Sequence, residues 1–281
     1  MTGPAGVVLA GGRSSRMGTP KAALEWHGST LLRRTVGILA RVTGGPLVVV
    51  RAAGQPLPAL PPDVEVVDDP RDGIGPLQGI AAGLAALAGR ADVAYVSATD
   101  LPFLHPAFVA RVLRAIGEEH ADVALPVARG YPQPLAAAYR TALAPVTEKL
   151  ILAERPRPAF LFAECAVVRL DESALRADPA LAAADPELDS VLNVNEPAGY
   201  RKARAVPAPE ITIQRAGSLA GGQRGPLPTR AATVAQAADA AGITLDRHVL
   251  AALNGDQLTR DGETPLVAGD AVLFMTADAG G

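Results

Sequence analysis

Short apolar runs alternate with helix-like segments along the first 120 residues, and this alternation restricts the fold more than any other feature of the sequence. The runs are largely apolar, as in strands that are buried on both faces. They lie at residues 7–9, 47–50, 64–67 and 93–97. Helix-like segments follow at 30–42, 75–88 and about 106–119, and further along the chain the pattern predicts a helix over about 141–154 and a short strand at 191–195. The pattern predicts an α/β domain in three layers, with a mainly parallel sheet between helices.

The first apolar run leads into a loop that is rich in glycine and positive charge. Its three glycines and three cationic side chains are Gly11, Gly12, Gly18, Arg13, Arg16 and Lys21. Glycine lets the backbone approach a ligand closely, and exposed backbone N–H groups beside cations favour a bound anion. The loop therefore predicts a nucleoside triphosphate site. The alternative is an ordinary strand-to-helix turn with incidental charges.

Two common nucleotide motifs are absent from this loop. The sequence has no G-x-x-x-x-G-K-[ST] pattern, which excludes a P-loop lysine and hydroxyl of the kind used by many ATPases. It also has no G-x-G-x-x-G after the first run, so a dinucleotide-binding turn is not supported.

Charged residues follow several of the predicted strands. Ligands of parallel sheets bind beyond the carboxyl ends of the strands, where this chain has Arg51, Asp68, Asp69 and Asp100. A carboxylate that faces a triphosphate loop suits Mg²⁺, so Asp100 is the first candidate for a metal ligand. The alternative role for Asp100 is to cap the helix that follows Pro102.

Composition excludes several classes of function. The formal net charge of −3 argues against broad nucleic-acid binding. The single cysteine, Cys165, excludes an intramolecular disulfide and a multi-cysteine zinc site, and its apolar surroundings predict a buried, inert thiol. The apolar stretches 7–10 and 80–88 are too short for a signal peptide and for a membrane span, respectively. We expect a cytoplasmic protein without nucleic-acid or membrane partners.

A series of motifs connects these features to a known family. After the opening loop come Gly75-Pro76-Leu77-x-Gly79, Asp100-x-Pro102, Gln133-Pro134 and Asn193-Val194-Asn195-x-Pro197. In this order, over about residues 5–203, the chain resembles the molybdenum cofactor guanylyltransferases. The resemblance implies a Rossmann-like nucleotidyltransferase domain over 1–205. It also implies Mg²⁺-dependent attack by the terminal phosphate of molybdopterin on the α-phosphate of GTP, with release of pyrophosphate.

The same resemblance implies roles for individual residues. The nucleotide-binding set is Leu9, Ala10, Gly11, Gly12, Arg13, Ser14, Lys21, Arg51, Asp69 and Asp100. The set on the side of the acceptor substrate is Gly75, Pro76, Gly79, Gln133, Pro134, Asn193 and Asn195. The catalytic residues are Arg16, Lys21 and Asp100, and the Mg²⁺ ligands are Asp100 and Asn195.

Two departures from the family leave the choice of nucleotide open. Arg51 stands where these enzymes often have a nucleotide-contacting Asn, and Thr19-Pro20 before Lys21 is also found in relatives that use other nucleotides. A cytidylyltransferase or a nucleotidyltransferase that acts on sugar phosphates therefore remains the alternative.

The last 76 residues predict a second, smaller domain over 206–281, which begins with the linker Val206-Pro207-Ala208-Pro209. Its predicted elements are a strand at 211–213, a helix at 233–241, a strand at 249–253 with a turn at 254–256, and a strand at 271–275. The motifs Leu253-Asn254-Gly255, Gly269-Asp270 and Gly280-Gly281 resemble ubiquitin-like β-grasp sulfur carriers of the molybdopterin-synthase small-subunit or ThiS type.

This second resemblance implies a function for the terminal diglycine. Gly280-Gly281 would thread a narrow channel and present its carboxylate for adenylation and then thiocarboxylation. The implied partners are an adenylating enzyme and the molybdopterin synthase large subunit. The alternative is a docking module that never carries sulfur.

Overall fold

The chain forms two compact units in a computed structural model that describes residues 3–11, 18–71, 73–220 and 225–276. The first unit comprises the described residues of Met1–Leu24 and Leu31–Gly199. The second comprises those of Glu25–Thr30 and Tyr200–Gly281. Six residues that follow Lys21 closely in the sequence thus belong to the second unit. The division predicted from the sequence, between residues 205 and 206, does not place residues 25–30 in the second unit.

The secondary structure of the described residues is as follows. The strands are β1 Ala5–Leu9, β2 Glu25–Trp26, β3 Ser29–Thr30, β4 Leu47–Ala52, β5 Val64–Asp69, β6 Val93–Ala98, β7 Val123–Ala128, β8 Tyr131–Pro132, β9 Ala136–Arg140, β10 Val167–Leu170, β11 Glu210–Arg215, β12 Leu227–Arg230, β13 Val249–Leu253, β14 Gln257–Thr259 and β15 Ala271–Thr276. The α-helices are α1 Leu31–Ala40, α2 Pro76–Ala86, α3 Pro106–Glu118, α4 Ala144–Leu152, α5 Pro158–Leu161, α6 Glu172–Arg176, α7 Pro179–Ala184, α8 Pro197–Arg204 and α9 Val234–Ala240.

The first unit contains a mainly parallel sheet, as predicted. Its strand order is β10-β7-β9-β6-β1-β4-β5, and the short strand β8 pairs with β7. Strands β5, β4, β1 and β6 are parallel neighbours, whereas β9 is antiparallel to both β6 and β7. The carboxyl ends of β1, β4, β5 and β6 therefore lie at one edge of the sheet, together with the start of β9.

Helices cover both faces of this sheet. On one face α2 and α4 pack over a core that includes Val7, Val48 and Val96. The alternate residues of the strands point to the other face, where α1 and α3 pack. Helix α2 approaches β1 closely because it has no side chain at Gly83, where a Cβ would lie 2.5 Å from Val7 Cγ1. The predicted three-layer arrangement is present.

One predicted strand of the first unit is wrong. Residues 191–195 do not pair with the sheet; a 3₁₀ turn at Asp189–Val191 leads instead into an extended segment. The backbone N–H of Val194 donates a hydrogen bond to the carbonyl oxygen of Asp100, 2.9 Å away, which ties this segment to a loop rather than to a strand. The predicted helix over 141–154 also begins later, because Thr141–Leu143 form a 3₁₀ turn before α4.

The second unit contains a five-stranded mixed sheet in the order β12-β11-β15-β13-β14. The first and last strands, β11 and β15, are parallel, and the other pairs are antiparallel. Helix α9 begins after Thr233, whose hydroxyl accepts a hydrogen bond from the Gln236 N–H, and its apolar side packs against Ile211, Ile213 and Phe274. The strands and helix predicted for this region are present, with β12 and β14 in addition.

No helix in the described part of the chain is long and apolar enough to cross a membrane.

Candidate active site

A cavity of about 440 Å³ lies at the carboxyl edge of the parallel strands. Nine of the residues predicted from the sequence line it: Leu9, Ala10, Gly11, Lys21, Asp69, Gly75, Pro76, Gly79 and Asp100. They come from the ends of β1, β5 and β6, from the segment after the opening loop and from the first turn of α2. Among the described residues, its charged lining consists of Lys21, Asp69 and Asp100.

Lys21 lies between two of the predicted metal ligands. Its Nζ atom is 2.7 Å from Asp100 Oδ2 and also donates a hydrogen bond to Asn195 Oδ1. The side chains of Lys21 and Asp100 are only 21% and 16% exposed, so this ion pair is partly shielded from water. The backbone bond from Val194 to Asp100 fixes the segment that carries Asn195. Residues that are far apart in sequence thus meet at one cationic atom.

The oxygens around Lys21 Nζ fit a divalent cation that also binds phosphate. Asp100 supplies a carboxylate and Asn195 an amide oxygen, and both already converge on a positive charge. Among the described residues there is no group of three or more His, Cys, Asp or Glu side chains that can hold a metal ion. Asp100 and Asn195 would supply only two ligands, which suits a cation such as Mg²⁺ that keeps several waters and also binds substrate phosphates.

Two neighbouring carboxylates at the end of β5 have different environments. Asp69 lines the cavity, and its Oδ1 accepts a hydrogen bond from the Arg71 N–H at 3.0 Å. Asp68 lies outside the cavity lining and pairs with Arg51, with 2.6 Å between Arg51 Nε and Asp68 Oδ1. Alternating side-chain directions along a strand separate the two residues.

Arg51 does not line the cavity, although it was predicted to contact the nucleotide. Besides its pair with Asp68, its Nη1 donates a hydrogen bond to the carbonyl oxygen of Gln55 at 3.0 Å. Gln55 in turn donates from Nε2 to the carbonyl oxygen of Ala10 at 3.0 Å. Gln55 therefore supports the end of β1, and no motif in the sequence indicated this role.

Two glycines of the site are required by their backbone surroundings. A Cβ at Gly11 would lie 3.0 Å from the backbone N of Ala52, so a side chain there would push the loop away from β4. Gly75 has a φ of 136°, and a Cβ there would lie 3.2 Å from the carbonyl oxygen of Pro156. Glycine at these two positions permits close contact with neighbouring backbone of the chain itself, and their approach to a ligand stays a prediction.

Four residues predicted on the acceptor side, Gln133, Pro134, Asn193 and Asn195, lie outside the cavity lining, although Asn195 reaches Lys21 beside it. Gln133 holds its own turn, since its Nε2 donates to the carbonyl oxygens of Ala128 and Tyr131. The carbonyl oxygen of Pro134 accepts a hydrogen bond from the Tyr139 hydroxyl at 2.7 Å. Asn193 is exposed. Leu135, next to Pro134, does line the cavity and was not predicted.

Four predicted site residues, Gly12, Arg13, Ser14 and Arg16, lie outside the described residues, as do Gly280 and Gly281. Their predicted roles stay predictions.

Cys165 has the environment of an unreactive thiol. Its Sγ donates a hydrogen bond to the carbonyl oxygen of Leu161 at 3.2 Å, and it is half-buried beside the core of the first unit. Burial, with a smaller contribution from Asp122, raises the pKa of the Cys165 thiol to about 11. The thiol therefore stays protonated at neutral pH.

A further cavity of about 690 Å³ lies between α2 and α4. Its floor is formed largely by alanine side chains, among them Ala81, Ala85 and Ala88. None of the residues predicted for the site lines it, so the cavity at the strand ends is the candidate active site.

A mainly parallel sheet with Lys21, Asp69 and Asp100 in one cavity at its strand ends fits the class of nucleotidyltransferases. Comparison with known proteins supports this class, because a family model described as the MobA-like NTP transferase domain matches residues 6–171. The chain belongs to this family, and the resemblance predicted for its N-terminal part is confirmed.

Individual relatives agree with this assignment. The chain is 43% identical over 150 residues to a probable molybdenum cofactor guanylyltransferase of Mycobacterium tuberculosis, an alignment that covers 52% of this chain and 73% of the relative. It is 41% identical over 152 residues to a protein of the same description from Mycobacterium ulcerans, covering 53% and 74%.

Solved structures share the fold of the first unit. A molybdopterin-guanine dinucleotide biosynthesis protein A from Archaeoglobus fulgidus superposes with a TM-score of 0.58 at 23% identity, covering 72% of this chain and 97% of that one. A nucleotidyl transferase from Methanothermobacter gives a TM-score of 0.51 at 20% identity, covering 73% and 97%.

Proposed function

We propose that the first unit transfers GMP from GTP to the terminal phosphate of molybdopterin, forming the guanine dinucleotide cofactor and pyrophosphate with the help of Mg²⁺. The observation that carries the proposal is the meeting of Lys21, Asp69 and Asp100 at one cavity beyond the strand ends. The descriptions of the mycobacterial relatives support the choice of GTP and of a molybdenum cofactor as substrates.

The reaction exchanges one phosphoanhydride bond for another. An oxygen of the molybdopterin phosphate attacks the α-phosphorus of GTP, the bond between that phosphorus and the α,β-bridging oxygen breaks, and pyrophosphate leaves with the electron pair. Because the attacking phosphate is already ionised at neutral pH, the reaction needs no histidine base. Its main requirements are positioning and neutralisation of charge.

The residues of the cavity meet these requirements. Lys21 provides a positive charge for the phosphates, and Arg13 and Arg16 of the opening loop are proposed to add to it. Asp100 and Asn195 would hold Mg²⁺, which when bound withdraws charge from the triphosphate oxygens. Asp69 accepts hydrogen bonds from the nucleoside. Gln133, Pro134 and Asn193 remain proposed contacts of the acceptor.

The test is turnover with a panel of nucleotides. Purified protein is incubated with Mg²⁺, molybdopterin and GTP, CTP or ATP, and pyrophosphate release is measured together with the mass of the product. The proposal predicts release with GTP and the mass of the guanine dinucleotide. Absence of turnover with every nucleotide would contradict it, and preferential use of CTP would favour the second candidate.

That second candidate is a nucleotidyltransferase that uses CTP or acts on another phosphorylated cofactor or sugar. Arg51 favours it, because its guanidinium is paired with Asp68 and does not present the amide that guanylyl enzymes often have at this position. Thr19-Pro20 favours it as well, because this pair before the lysine is also found in relatives that use other nucleotides.

For the second unit we propose a β-grasp domain that carries sulfur on Gly281. Support comes from the strand order β12-β11-β15-β13-β14, with a parallel central pair and one helix packed on the sheet. Further support comes from the turn after β13, where Asn254 and Asp270 bond to each other at 3.0 Å. The proposed partners are an adenylating enzyme and the molybdopterin synthase large subunit. A docking module without sulfur is the alternative.

A further inference from the structure

Two chain segments that lead away from the candidate active site enter the second unit. Lys21 is separated from Glu25, where the second unit begins, by residues 22–24. Asn195 is separated from Tyr200, where the chain enters the second unit again, by residues 196–199. The two side chains that meet at Asp100 are thus each joined to the second unit by a short connection.

Inside the second unit these two segments are bound to each other. Arg204 at the end of α8 pairs with Glu25 through two bonds, at 2.6 Å from Nε and 3.1 Å from Nη2. The Tyr200 hydroxyl donates a hydrogen bond to the carbonyl oxygen of Glu25. The bond from Arg204 holds the pKa of the Glu25 carboxyl below its ordinary value. We call Glu25, Tyr200 and Arg204 the clasp.

The tip of the β2–β3 hairpin is held as well. Gln236 of α9 donates from Nε2 to the carbonyl oxygen of His27 at 2.8 Å, and the Ser29 hydroxyl donates to Glu263 at 2.8 Å. Gly28 adopts a φ of 88°, and a Cβ there would lie 2.9 Å from Gln236 Nε2. The tip therefore fits closely against α9.

This hairpin cannot define its own conformation. Only two residue pairs join β2 to β3, Glu25 with Thr30 and Trp26 with Ser29. A hairpin of this length is not stable alone in water. The Leu31 N–H donates a hydrogen bond to the carbonyl oxygen of Leu24 at 2.9 Å, which anchors the end of the segment after Lys21. The geometry of residues 25–30 beyond it depends on the clasp and on the contacts at the tip.

We propose that Glu25 and Arg204 of the clasp are positioning residues of the nucleotidyl-transfer site. Their ion pair fixes the ends of the segments that carry Lys21 and Asn195, so that both side chains are held where they meet Asp100. Loosening the clasp therefore misplaces the cation and the amide oxygen. This inference rests on the proposed roles of Lys21 and Asn195.

The test is a double-mutant cycle in the full-length chain. Glu25→Gln and Arg204→Met each remove the ion pair, and each is expected to lower kcat/KM for nucleotidyl transfer about tenfold through misplacement of Lys21. The losses in the double variant are expected to be less than additive, because both substitutions remove the same ion pair. Arg204→Met also removes the 2.9 Å contact of Arg204 Nη1 with His27 Nδ1 and is therefore expected to lose more than Glu25→Gln. Arg204→Lys, which keeps the charge without the two-bond geometry, is expected to be intermediate.

The control variant is Glu210→Gln, which breaks a different surface pair of the same unit, between Glu210 and Arg230, and is expected to leave kcat/KM unchanged. Hydrogen exchange gives a second readout that a purely stabilising role would not produce. In Glu25→Gln, amides of residues 22–24 and 192–196 are expected to exchange faster, whereas those of β1 and β6 keep their protection. If the charge variants do not fold, the same measurements are made on Tyr200→Phe, which removes a single hydroxyl from the clasp.

The inference is overturned if folded clasp variants turn over at the wild-type rate, or if their losses in the cycle are additive. Lys21→Met separates this failure from failure of the proposed site. If Lys21→Met is inactive while the clasp variants are fully active, the positioning role alone is wrong. If Lys21→Met is also fully active, the proposed site itself is wrong.

Discussion

Lys21 brings a positive charge into a cavity whose other charged lining residues, within the described part of the chain, are carboxylates. It forms an ion pair with Asp100 and donates a hydrogen bond to the Asn195 amide oxygen. A bound triphosphate offers more negative charge than one carboxylate, so we expect Lys21 to exchange Asp100 for phosphate oxygens. The carboxylate that is released can then hold a cation.

Asp69 and its neighbour Asp68 provide a matched pair of variants. Asp69→Asn is expected to weaken nucleotide binding about tenfold, because it removes a charged acceptor from the cavity. Asp68→Asn should have little effect, since that side chain pairs with Arg51 outside the cavity lining.

Thermal unfolding with added nucleotide measures this difference. At a nucleotide concentration of one hundred times its Kd, wild type should gain about 2.7 kcal/mol of stability, and Asp69→Asn about half as much. If Asp69→Asn gains as much stability as Asp68→Asn, Asp69 does not contact the nucleotide.

Cys165 allows a prediction of pH dependence. Alkylation requires the thiolate, and burial raises the pKa of Cys165 from 9.0 to about 11. At pH 8 the thiolate fraction is therefore about a hundredfold smaller than for an unperturbed thiol. Reaction with iodoacetamide, followed by mass spectrometry, should be slow at pH 8 and accelerate as the pH rises towards 11. Rapid reaction at pH 8 would contradict the buried environment.

The charged residues of the site could be predicted from the sequence, and the residues that support them could not. Lys21 and Asp100 follow apolar runs within family motifs, so their position at one sheet edge was predictable. Gln55 and the pair of Glu25 with Arg204 belong to no local pattern. Their partners are remote in sequence, 45 positions away for Gln55 and 179 for Glu25, and only the tertiary fold brings them together.

Helix α2 forms one wall of the site and depends on glycine for its contact with β1. In Gly83→Ala the new Cβ would lie 2.5 Å from Val7 Cγ1, in a fully buried contact. Overpacking of this kind costs about 1–3 kcal/mol and outweighs the gain of up to about 1 kcal/mol in helix propensity. We expect a net loss in the free energy of unfolding, measured by chemical denaturation.

Gly117→Ala in α3 is the control for this change. A Cβ at Gly117 meets no atom within 4 Å, so the substitution should stabilise the protein by about 0.5 kcal/mol through helix propensity alone. If Gly83→Ala is as stable as Gly117→Ala, α2 does not pack against β1 as described.

Elements that are long and strongly patterned were predicted well, and short ones were not. Strands β1, β4 and β6 are continuous apolar runs, and their burial on both faces leaves little freedom for another structure. The β2–β3 hairpin has two-residue strands that owe their form to contacts with remote residues. The segment 191–195 has the composition of a strand, but its backbone bonds to the loop of Asp100.

The two units share the chain in a way that the sequence does not reveal. Residues 25–30 belong to the second unit although they are surrounded in sequence by the first. Neither composition nor periodicity indicates that residues 25–30 belong to the second unit, because this depends on contacts that form only in the folded chain. The proline-spaced segment 206–209, which the sequence predicts as a linker, lies within the second unit, because that unit takes up the chain again at Tyr200.

The proposed sulfur carrier is tested on the whole chain. With an adenylating enzyme and a sulfur donor, intact mass spectrometry should show one exchange of oxygen for sulfur at Gly281. A chain without Gly280-Gly281 should show none. If cells that make the cofactor never yield the modified chain, and the shortened chain still binds the same partners, the docking alternative is correct.

The assignment of this cavity as the nucleotidyl-transfer site is tested by transfer of the α-phosphate label of GTP to molybdopterin. Wild type is compared with Asp100→Asn, and Asp68→Asn is the control. Removing the charge of Asp100 should lower kcat about 10²–10³-fold without unfolding the protein, because the site then loses a ligand for the cation that neutralises the triphosphate. Asp68→Asn should transfer label at the wild-type rate. Equal rates for wild type and Asp100→Asn would contradict the assignment of this cavity as the nucleotidyl-transfer site.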